Sequence, residues 1–140
     1  MLKAEEDSLS NLVVGDTAQN LIRVFFLQTK LKSTGDKKLF TPKRVHVIGA
    51  GVMGGDIAAW CALQGLQVTL QDRQAKNIAR VIKNANKLYA KKLKDRTLVQ
   101  ATLDRLIPDI DGLGLPHADV IIEAIFEDKD AKHALFRDIE

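Results

Sequence analysis

The stretch Val45-His46-Val47-Ile48-Gly49-Ala50-Gly51-Val52-Met53-Gly54 decides the fold of this 140-residue chain. Its first half is a short β-branched apolar run, which predicts a buried strand over 44–48. The three glycines that follow fit the pattern G-x-G-x-x-G. Helical character then extends to about residue 64, and the next glycine, Gly65, is predicted to end the helix. The stretch therefore predicts a strand, a glycine-rich turn and a helix in direct succession.

An acidic residue completes this pattern after the next strand. Residues 66–70 are predicted to form that strand, and Asp72 lies 18 residues beyond Gly54. This arrangement is typical of a dinucleotide-binding βαβ unit, in which the helix N-terminus faces the pyrophosphate. Asp72 would accept hydrogen bonds from the adenosine ribose and repel a 2′-phosphate. NAD is therefore favoured over NADP, and the adjacent Arg73 is the one residue that could weaken this preference.

Each glycine has a physical task in this interpretation. Gly49 permits the tight turn out of the strand, Gly51 lets the backbone approach the pyrophosphate, and Gly54 lets the helix pack close to the strand. The alternative is a glycine-rich turn that merely connects packed elements. The matching strands, helix and acid favour the nucleotide-binding interpretation.

The rest of the second half alternates between helices and strands. Helices are predicted over 74–94, around 98–104 and from 129 onward, and strands over 106–108 and 119–124. Residues 111–116 are predicted to form a loop. This alternation predicts an α/β fold, a Rossmann-type parallel sheet with flanking helices, of which the chain holds a part.

The first 40 residues have a different character. A weak helix is predicted over 2–14, and Asp16 with Gln19 suggests a capping box that opens a second helix over about 17–32. The apolar face of that helix is broad and must bury against something. Residues 33–43 are predicted to form a linker. The predicted organisation is a helical segment over 1–40 and a dinucleotide-binding part over 41–140.

The helix after Asp72 carries a row of basic residues. Nine Lys or Arg and one acid lie in 73–96, a local charge of +8, although the whole chain has only +3. Six of them recur at steps of three and four on one face, opposite the apolar residues: Lys76, Arg80, Lys83, Lys87, Lys91 and Lys94. Like charges at this spacing repel. The row indicates either a polyanionic ligand or an ordinary solvated face.

Composition excludes several classes of protein. Hydrophobic residues make up 46% and charged residues 28%, which is typical of a globular domain. No apolar stretch reaches membrane-spanning length, and no signal-peptide core precedes the acidic N-terminal segment. Cys61 is the single cysteine, so no intrachain disulfide can form. A nucleic-acid partner is not favoured, because no aromatic residues interleave the basic row. No metal site is expected.

Three segments resemble the 3-hydroxyacyl-CoA dehydrogenase family: 45–55, 68–72 and 118–128. The closer resemblance is to its multifunctional members in fatty-acid oxidation, in which an enoyl-CoA hydratase half precedes the dehydrogenase half. Residues 4–40 resemble the end of that hydratase half and the connecting helix. The resemblance implies hydride transfer between NAD and a 3-hydroxyacyl-CoA during β-oxidation.

The resemblance also implies site residues. The glycine loop with Val52 and Met53 would bind the pyrophosphate side of NAD, and Asp72 with Arg73 its ribose. The strand end after Glu123 would line the cofactor through Ala124, Ile125, Phe126, Glu127 and Lys132. The basic helix resembles one near the CoA phosphates, where Lys83 and Lys87 are the candidates.

The family's histidine base lies in a motif that these 140 residues do not contain. His46, His117 and His133 have other settings and are expected to be structural or at the surface. The chain is therefore predicted to be an inactive fragment of a cytoplasmic, bacterial parent, with a mitochondrial or peroxisomal parent left open. Exposed apolar faces would let it self-associate. The alternatives are another NAD(P)-dependent β-hydroxyacid dehydrogenase and a non-catalytic nucleotide-binding module.

Overall fold

A computed structural model describes residues 2–34 and 40–139. The chain divides into two compact units, Met1–Thr41 and Pro42–Glu140. The first unit contains helices α1 (Leu2–Val14) and α2 (Asp16–Thr34), separated by Gly15. The two predicted helices are confirmed. The predicted capping box is wrong, because Asp16 already begins α2 and Gln19 Nε2 instead donates to the Val14 carbonyl at 3.0 Å.

The predicted linker is shorter than expected. Ser33 and Thr34 belong to the last turn of α2, where both hydroxyls donate to the Lys30 carbonyl. Residues 35–39 lie outside the described part of the chain. Residues 40–43 have no regular structure and lead into the first strand. Within 2–34 and 40–139, no helix has the length and hydropathy needed to cross a membrane.

The second unit is a parallel α/β domain, as predicted. Its sheet has the strand order β3-β2-β1-β4, and every pairing is parallel. A short 3₁₀ turn, Leu115–His117, interrupts the loop before β4. The elements are β1 (Arg44–Ile48), α3 (Val52–Leu63), β2 (Gln67–Gln71), α4 (Ala75–Leu93), α5 (Arg96–Leu103), β3 (Leu106–Pro108), β4 (Val120–Glu123) and α6 (Lys129–Ile139).

The boundaries of β1 and β3 are those predicted, whereas β2 begins and ends one residue later and β4 is one residue shorter at each end. The register pairs Ile48 with both Gln71 and Glu123. The last residues of β1, β2 and β4 therefore lie side by side. Ligands of such sheets bind beyond the carboxyl ends of the strands, and this edge carries the candidate site.

The core lies between the sheet and helices α3 and α4. Small residues of α3 allow close approach to its neighbours, and Tyr89 of α4 is fully buried and donates to the Ala59 carbonyl at 2.8 Å. Burial, reinforced by the nearby Cys61, raises the pKa of Tyr89 to about 12. The predicted apolar face of α4 is confirmed, with buried residues Ile78, Val81, Ala85 and Tyr89.

A buried histidine occupies the other face of the sheet. His46 has no exposed surface, and its two ring nitrogens lie 2.7 Å from Thr69 Oγ1 and 3.0 Å from Gln71 Oε1. The carboxylate of Asp109 lies 3.8 Å away and accepts the backbone N–H groups of Leu113 and Gly114. His46 thus joins β1, β2 and the loop that precedes β4.

Candidate functional site

The glycine loop connects β1 to α3, and its first and third glycines are packed closely against neighbouring backbone atoms. Gly49 has φ = +107°, a conformation that side chains rarely adopt, and its N–H donates to the Gln71 carbonyl at 2.8 Å. A Cβ on Gly49 would lie 2.6 Å from the Ala124 carbonyl oxygen. A Cβ on Gly54 would collide with the Gly49 carbonyl oxygen. The first and third glycines are therefore required by packing alone.

The middle glycine differs because the space that a side chain would occupy is open. A Cβ on Gly51 would meet no atom within 4 Å. Gly51 is the N-cap of α3, and no side chain caps this helix end. The next two residues, Val52 and Met53, are 80% and 71% exposed. The free N–H groups of the first turn therefore face open space, as an anion-binding helix terminus requires.

Asp72 follows β2 and is hydrogen-bonded to the glycine loop. Its Oδ2 accepts the Ala50 N–H at 2.9 Å, and its Oδ1 accepts the Gln74 N–H at 2.8 Å and Asn77 Nδ2 at 3.0 Å. Partial burial works to raise the pKa of Asp72. These hydrogen bonds and the positive charge of Arg80 outweigh burial and lower the pKa below its ordinary value. Asp72 is therefore ionised at neutral pH.

The carboxyl end of β4 completes the edge. The Ala124 N–H donates to the Ile48 carbonyl at 2.8 Å, which places β4 beside the glycine loop. Ile125 is partly buried, and its N–H donates to Glu123 Oε1 at 2.8 Å. Phe126 is 71% exposed. The structure therefore places the residues after β4 next to the loop that the glycines form.

Lys132 of α6 reaches back to this strand end. Its Nζ lies 2.8 Å from Glu127 Oε2 and 3.2 Å from Glu123 Oε2. The hydrogen bond to Glu127 and then that to Glu123 raise the pKa of Lys132. Glu123 is 16% exposed and Glu127 89%, so Lys132 neutralises the largely buried carboxylate as well as the solvated one. The charge at the end of β4 thus has the partner that its burial requires.

The basic row lies on the solvent side of α4. All six of its residues are exposed, and Lys94 is the left-handed C-cap of α4 with φ = 56°. A groove of about 290 Å³ between α3 and α4 begins at Gly51 and is lined by Arg80 and Asn84. Lys83 and Lys87 are exposed on the same helix. Arg73 is exposed beside Asp72.

Sequence reasoning missed two residues of this edge. Asn77 donates to Asp72, and Arg80 Nη2 donates to the Ala50 carbonyl at 3.5 Å, although Arg80 was grouped only with the basic row. The available signal was their spacing after Asp72, which places both on the first turns of α4. The remaining histidines, His117 and His133, are exposed, as expected, and lie in the loop before β4 and on α6.

These residues fit a dinucleotide. The glycine turn leaves open space only at Gly51, the unprotected start of α3 faces it, and an ionised Asp72 stands at the next strand end. Bound NAD would supply the hydride acceptor. The residues present would hold its adenosine half and pyrophosphate.

Comparison with known proteins agrees with this geometry. Residues 44–140 match the family described as 3-hydroxyacyl-CoA dehydrogenase, NAD binding domain. The fatty acid oxidation complex subunit alpha of Shewanella loihica is 31% identical over 99% of this chain. The chain spans only about a fifth of that relative's length, 21%.

Solved structures give the same result. A 3-hydroxybutyryl-CoA dehydrogenase from Escherichia coli superposes with a TM-score of 0.66 and 35% identity, over 71% of this chain and 22% of its own. The (S)-3-hydroxybutyryl-CoA dehydrogenase PaaH1 from Ralstonia eutropha gives 0.62 and 29%, over 71% of this chain and 36% of its own. The chain thus belongs to the 3-hydroxyacyl-CoA dehydrogenase family, and residues 44–140 are its NAD-binding domain.

Proposed function

We propose that this chain is the NAD-binding portion of a 3-hydroxyacyl-CoA dehydrogenase that acts in fatty-acid β-oxidation. The observation that carries the proposal is the partly buried Asp72 carboxylate, which is hydrogen-bonded to Ala50 of the glycine loop, next in the chain to the open space at Gly51. The loop with Val52 and Met53 binds the pyrophosphate. Asp72 accepts the adenosine ribose, with Arg73 beside it.

The residues that follow the carboxyl end of β4 bind the other side of the cofactor. Ala124, Ile125 and Phe126 form its wall, and the Glu127–Lys132 pair forms its polar edge. The cofactor carries the hydride chemistry. The contribution of these residues is to bind and orient it, whereas the histidine that removes the hydroxyl proton belongs to another part of the parent enzyme. The 140-residue chain alone is inactive.

Titration calorimetry with NAD and NADP tests the cofactor proposal. We expect NAD to bind, NADP to be rejected, and Asp72→Ala to weaken NAD by about tenfold or more, because a charged hydrogen-bond acceptor is lost. Asp111→Ala is the control, since Asp111 is an exposed carboxylate in the loop after β3. Folding of each variant is verified by circular dichroism. Unchanged NAD affinity in folded Asp72→Ala would contradict the proposal.

We also propose that Lys83 and Lys87 contact the CoA phosphates of the substrate. They stand on the solvent face of α4 and are the chain neighbours of Asn84 and Leu88, which line the groove that begins at the glycine loop. Replacing both with Ala should weaken CoA binding more than dephospho-CoA binding and reduce its salt dependence. The matched control replaces Lys30 and Lys32, two exposed lysines of α2. An equal loss of CoA affinity in the Lys83/Lys87 and Lys30/Lys32 double variants would exclude a specific contact of Lys83 and Lys87 with the CoA phosphates.

The helical segment 1–40 is proposed to be the end of an enoyl-CoA hydratase half and its connecting helix. Apolar side chains of α2 remain largely exposed, with Leu21 66%, Phe25 63% and Phe26 64% accessible. Such a surface favours association, so the isolated chain should self-associate. Sedimentation velocity should show concentration-dependent dimers that Phe25→Glu dissociates. We propose a cytoplasmic parent, because the curated relatives are bacterial.

A further inference from the structure

The hydrogen bonds of Asp72 leave it little capacity for a ligand. An ionised carboxylate offers about four lone-pair positions. Three are used within the protein, by Ala50 N–H on Oδ2 and by Gln74 N–H and Asn77 Nδ2 on Oδ1. One position, on Oδ2, remains for a ribose hydroxyl. Binding of the ribose therefore depends on the orientation of the Asp72 carboxylate, because only Oδ2 can accept the hydroxyl.

Two of the three donors are backbone groups, and the third is a side chain. The N–H groups of Ala50 and Gln74 are fixed by the glycine loop and by the turn into α4. Asn77 is the one residue whose side chain donates to Asp72 within residues 40–139. It is partly buried in the first turn of α4, and its own N–H donates to the Gln74 carbonyl at 2.9 Å. Its backbone is thus held independently of its amide.

We propose that Asn77 is a positioning residue of the nucleotide site, which orients the Asp72 carboxylate so that Oδ2 faces the adenosine ribose. The proposal rests on the proposed function for its effect on NAD, but the contact between Asn77 and Asp72 is independent of any ligand. Because a carboxylate has no proton to donate, the Asn77 amide must present Nδ2 to it. Replacing Nδ2 by an oxygen would turn an attraction into a repulsion.

The charged group that acts on the Asp72 carboxylate is Arg80, one turn beyond Asn77 along α4. Its guanidinium attracts the Asp72 carboxylate and donates to the Ala50 carbonyl at 3.5 Å. Arg80 therefore acts on both partners of the Asp72–Ala50 hydrogen bond, whereas Asn77 acts on Asp72 alone. Arg73 precedes the helix and is exposed. A substitution of Asn77 leaves both arginines in place, so its effect can be separated from theirs.

The ionisation of Asp72 is the most direct readout. The pKa of Asp72 is measured by carbon-13 NMR of its carboxyl group in the wild-type chain, Asn77→Ala, Asn77→Asp and Asn77→Ser. We expect Asn77→Ala to raise this pKa, and Asn77→Asp to raise it further through like-charge repulsion. Asn77→Ser retains a shorter donor and should fall between wild type and Asn77→Ala. Asn86→Ala, an exposed position on the opposite face of α4, should leave the Asp72 pKa unchanged.

The second readout is NAD affinity as a function of pH. At pH 7 we expect Asn77→Ala to raise the NAD dissociation constant by about tenfold. The acid limb, along which NAD affinity is lost, should move to higher pH together with the Asp72 pKa. A residue that only stabilised the helix would lower thermal stability without moving this limb.

The outcomes separate the two proposals. A raised Asp72 pKa in Asn77→Ala supports the positioning role, even if the chain fails to bind NAD and the proposed function is thereby contradicted. An unchanged Asp72 pKa in folded Asn77→Ala and Asn77→Asp overturns it, even if NAD binds tightly. An NAD affinity that responds equally to Asn77→Ala and Asn86→Ala overturns it as well.

Discussion

The two sides of the candidate nucleotide site are built from different interactions. The glycine-loop side is fixed by backbone hydrogen bonds and by packing, with Gly49 and Gly54 in contact distance of backbone atoms and Ala50 fully buried. The β4 side has a backbone hydrogen bond from Ala124 to Ile48 and, beyond it, depends on ion pairs of Lys132 with the largely buried Glu123 and with the exposed Glu127. Backbone and packing constraints withstand salt, whereas solvated ion pairs are screened by it. The first side is therefore preformed, and the second is adjustable.

The largest expected effect comes from Gly54→Ala on the preformed side. The added methyl group would collide with the Gly49 carbonyl oxygen and lie 3.0 Å from the Ala124 Cβ. We expect the free energy of unfolding to fall by about 1–3 kcal/mol, as for other overpacked cores, and NAD binding to be lost. Urea unfolding followed by circular dichroism measures the first effect and calorimetry the second.

Gly51→Ala is the matched control for that substitution. Nothing lies within 4 Å of its Cβ, and its φ of −68° suits alanine. The free energy of unfolding should change by less than about 1 kcal/mol, the usual range for an N-cap substitution. NAD affinity should nevertheless fall, because the methyl group occupies the space left for the pyrophosphate. If both variants lose stability equally, the distinction between a packing glycine and a ligand-facing glycine is wrong.

A smaller effect is expected from Lys132→Met on the adjustable side. The substitution leaves the largely buried Glu123 without its cation but does not touch the glycine loop, so NAD affinity should fall by less than about tenfold. Glu127→Gln should have a weaker effect, because Glu127 is 89% exposed. Calorimetry at low and high salt distinguishes the β4 side, which depends on ion pairs, from the glycine-loop side, which depends on packing. Added salt should narrow the difference between wild type and Lys132→Met, and a difference that salt does not change would contradict the ionic interpretation.

The smallest effect on the site is expected from Asp119→Asn, at the opposite end of the sheet. Asp119 Oδ2 accepts the backbone N–H groups of Lys43 at 2.7 Å and Arg44 at 2.8 Å, and these hydrogen bonds lower its pKa. The substitution should lower the urea midpoint at pH 7 and leave NAD affinity unchanged. Asp72 and Asp119 are both held by backbone N–H groups. The result would show that only the carboxylate at the carboxyl end of the strands, Asp72, affects cofactor binding.

The pH dependence of that variant follows from the sign of the shift. A carboxyl group with a lowered pKa in the folded state stabilises the protein above its unfolded pKa of about 3.9, and this stabilisation is lost as pH falls through the lower folded pKa. The difference in urea midpoint between wild type and Asp119→Asn should therefore be constant near neutral pH and narrow below about pH 4. A difference that widens in acid would show that Asp119 does not have a lowered pKa.

The elements were largely predictable because each is marked by local signals. The β-branched run at 44–48 ends at a glycine, and the 3.6-residue period of α4 separates lysines from apolar residues. The end of β2 was misplaced because Gln71 is polar and its buried partner, His46, lies 25 residues away. Long-range pairs of this kind leave no local signal.

The same limit applies to the site. The glycine pattern and Asp72 could be recognised because their spacing along the chain reflects one βαβ unit. The contact of Lys132 with Glu123 spans a strand end, a loop and a helix, so no periodicity indicates it. The capping box was predicted from residue types at Asp16 and Gln19, but Gln19 has an alternative acceptor in the Val14 carbonyl. Local chemistry allows both bonds, and the path of the chain at Gly15 selects one.

The hydrogen bonds of the buried His46 with the partly buried Thr69 and Gln71 have an evolutionary consequence. Both ring nitrogens of His46 are paired with side chains of the neighbouring strand, so replacing Thr69 or Gln71 by an apolar residue leaves a buried ring nitrogen without its partner. Single changes at these positions are costly, whereas a joint change to apolar residues of similar volume is not. Among homologues, residues at these three positions should therefore be inherited and exchanged as a set.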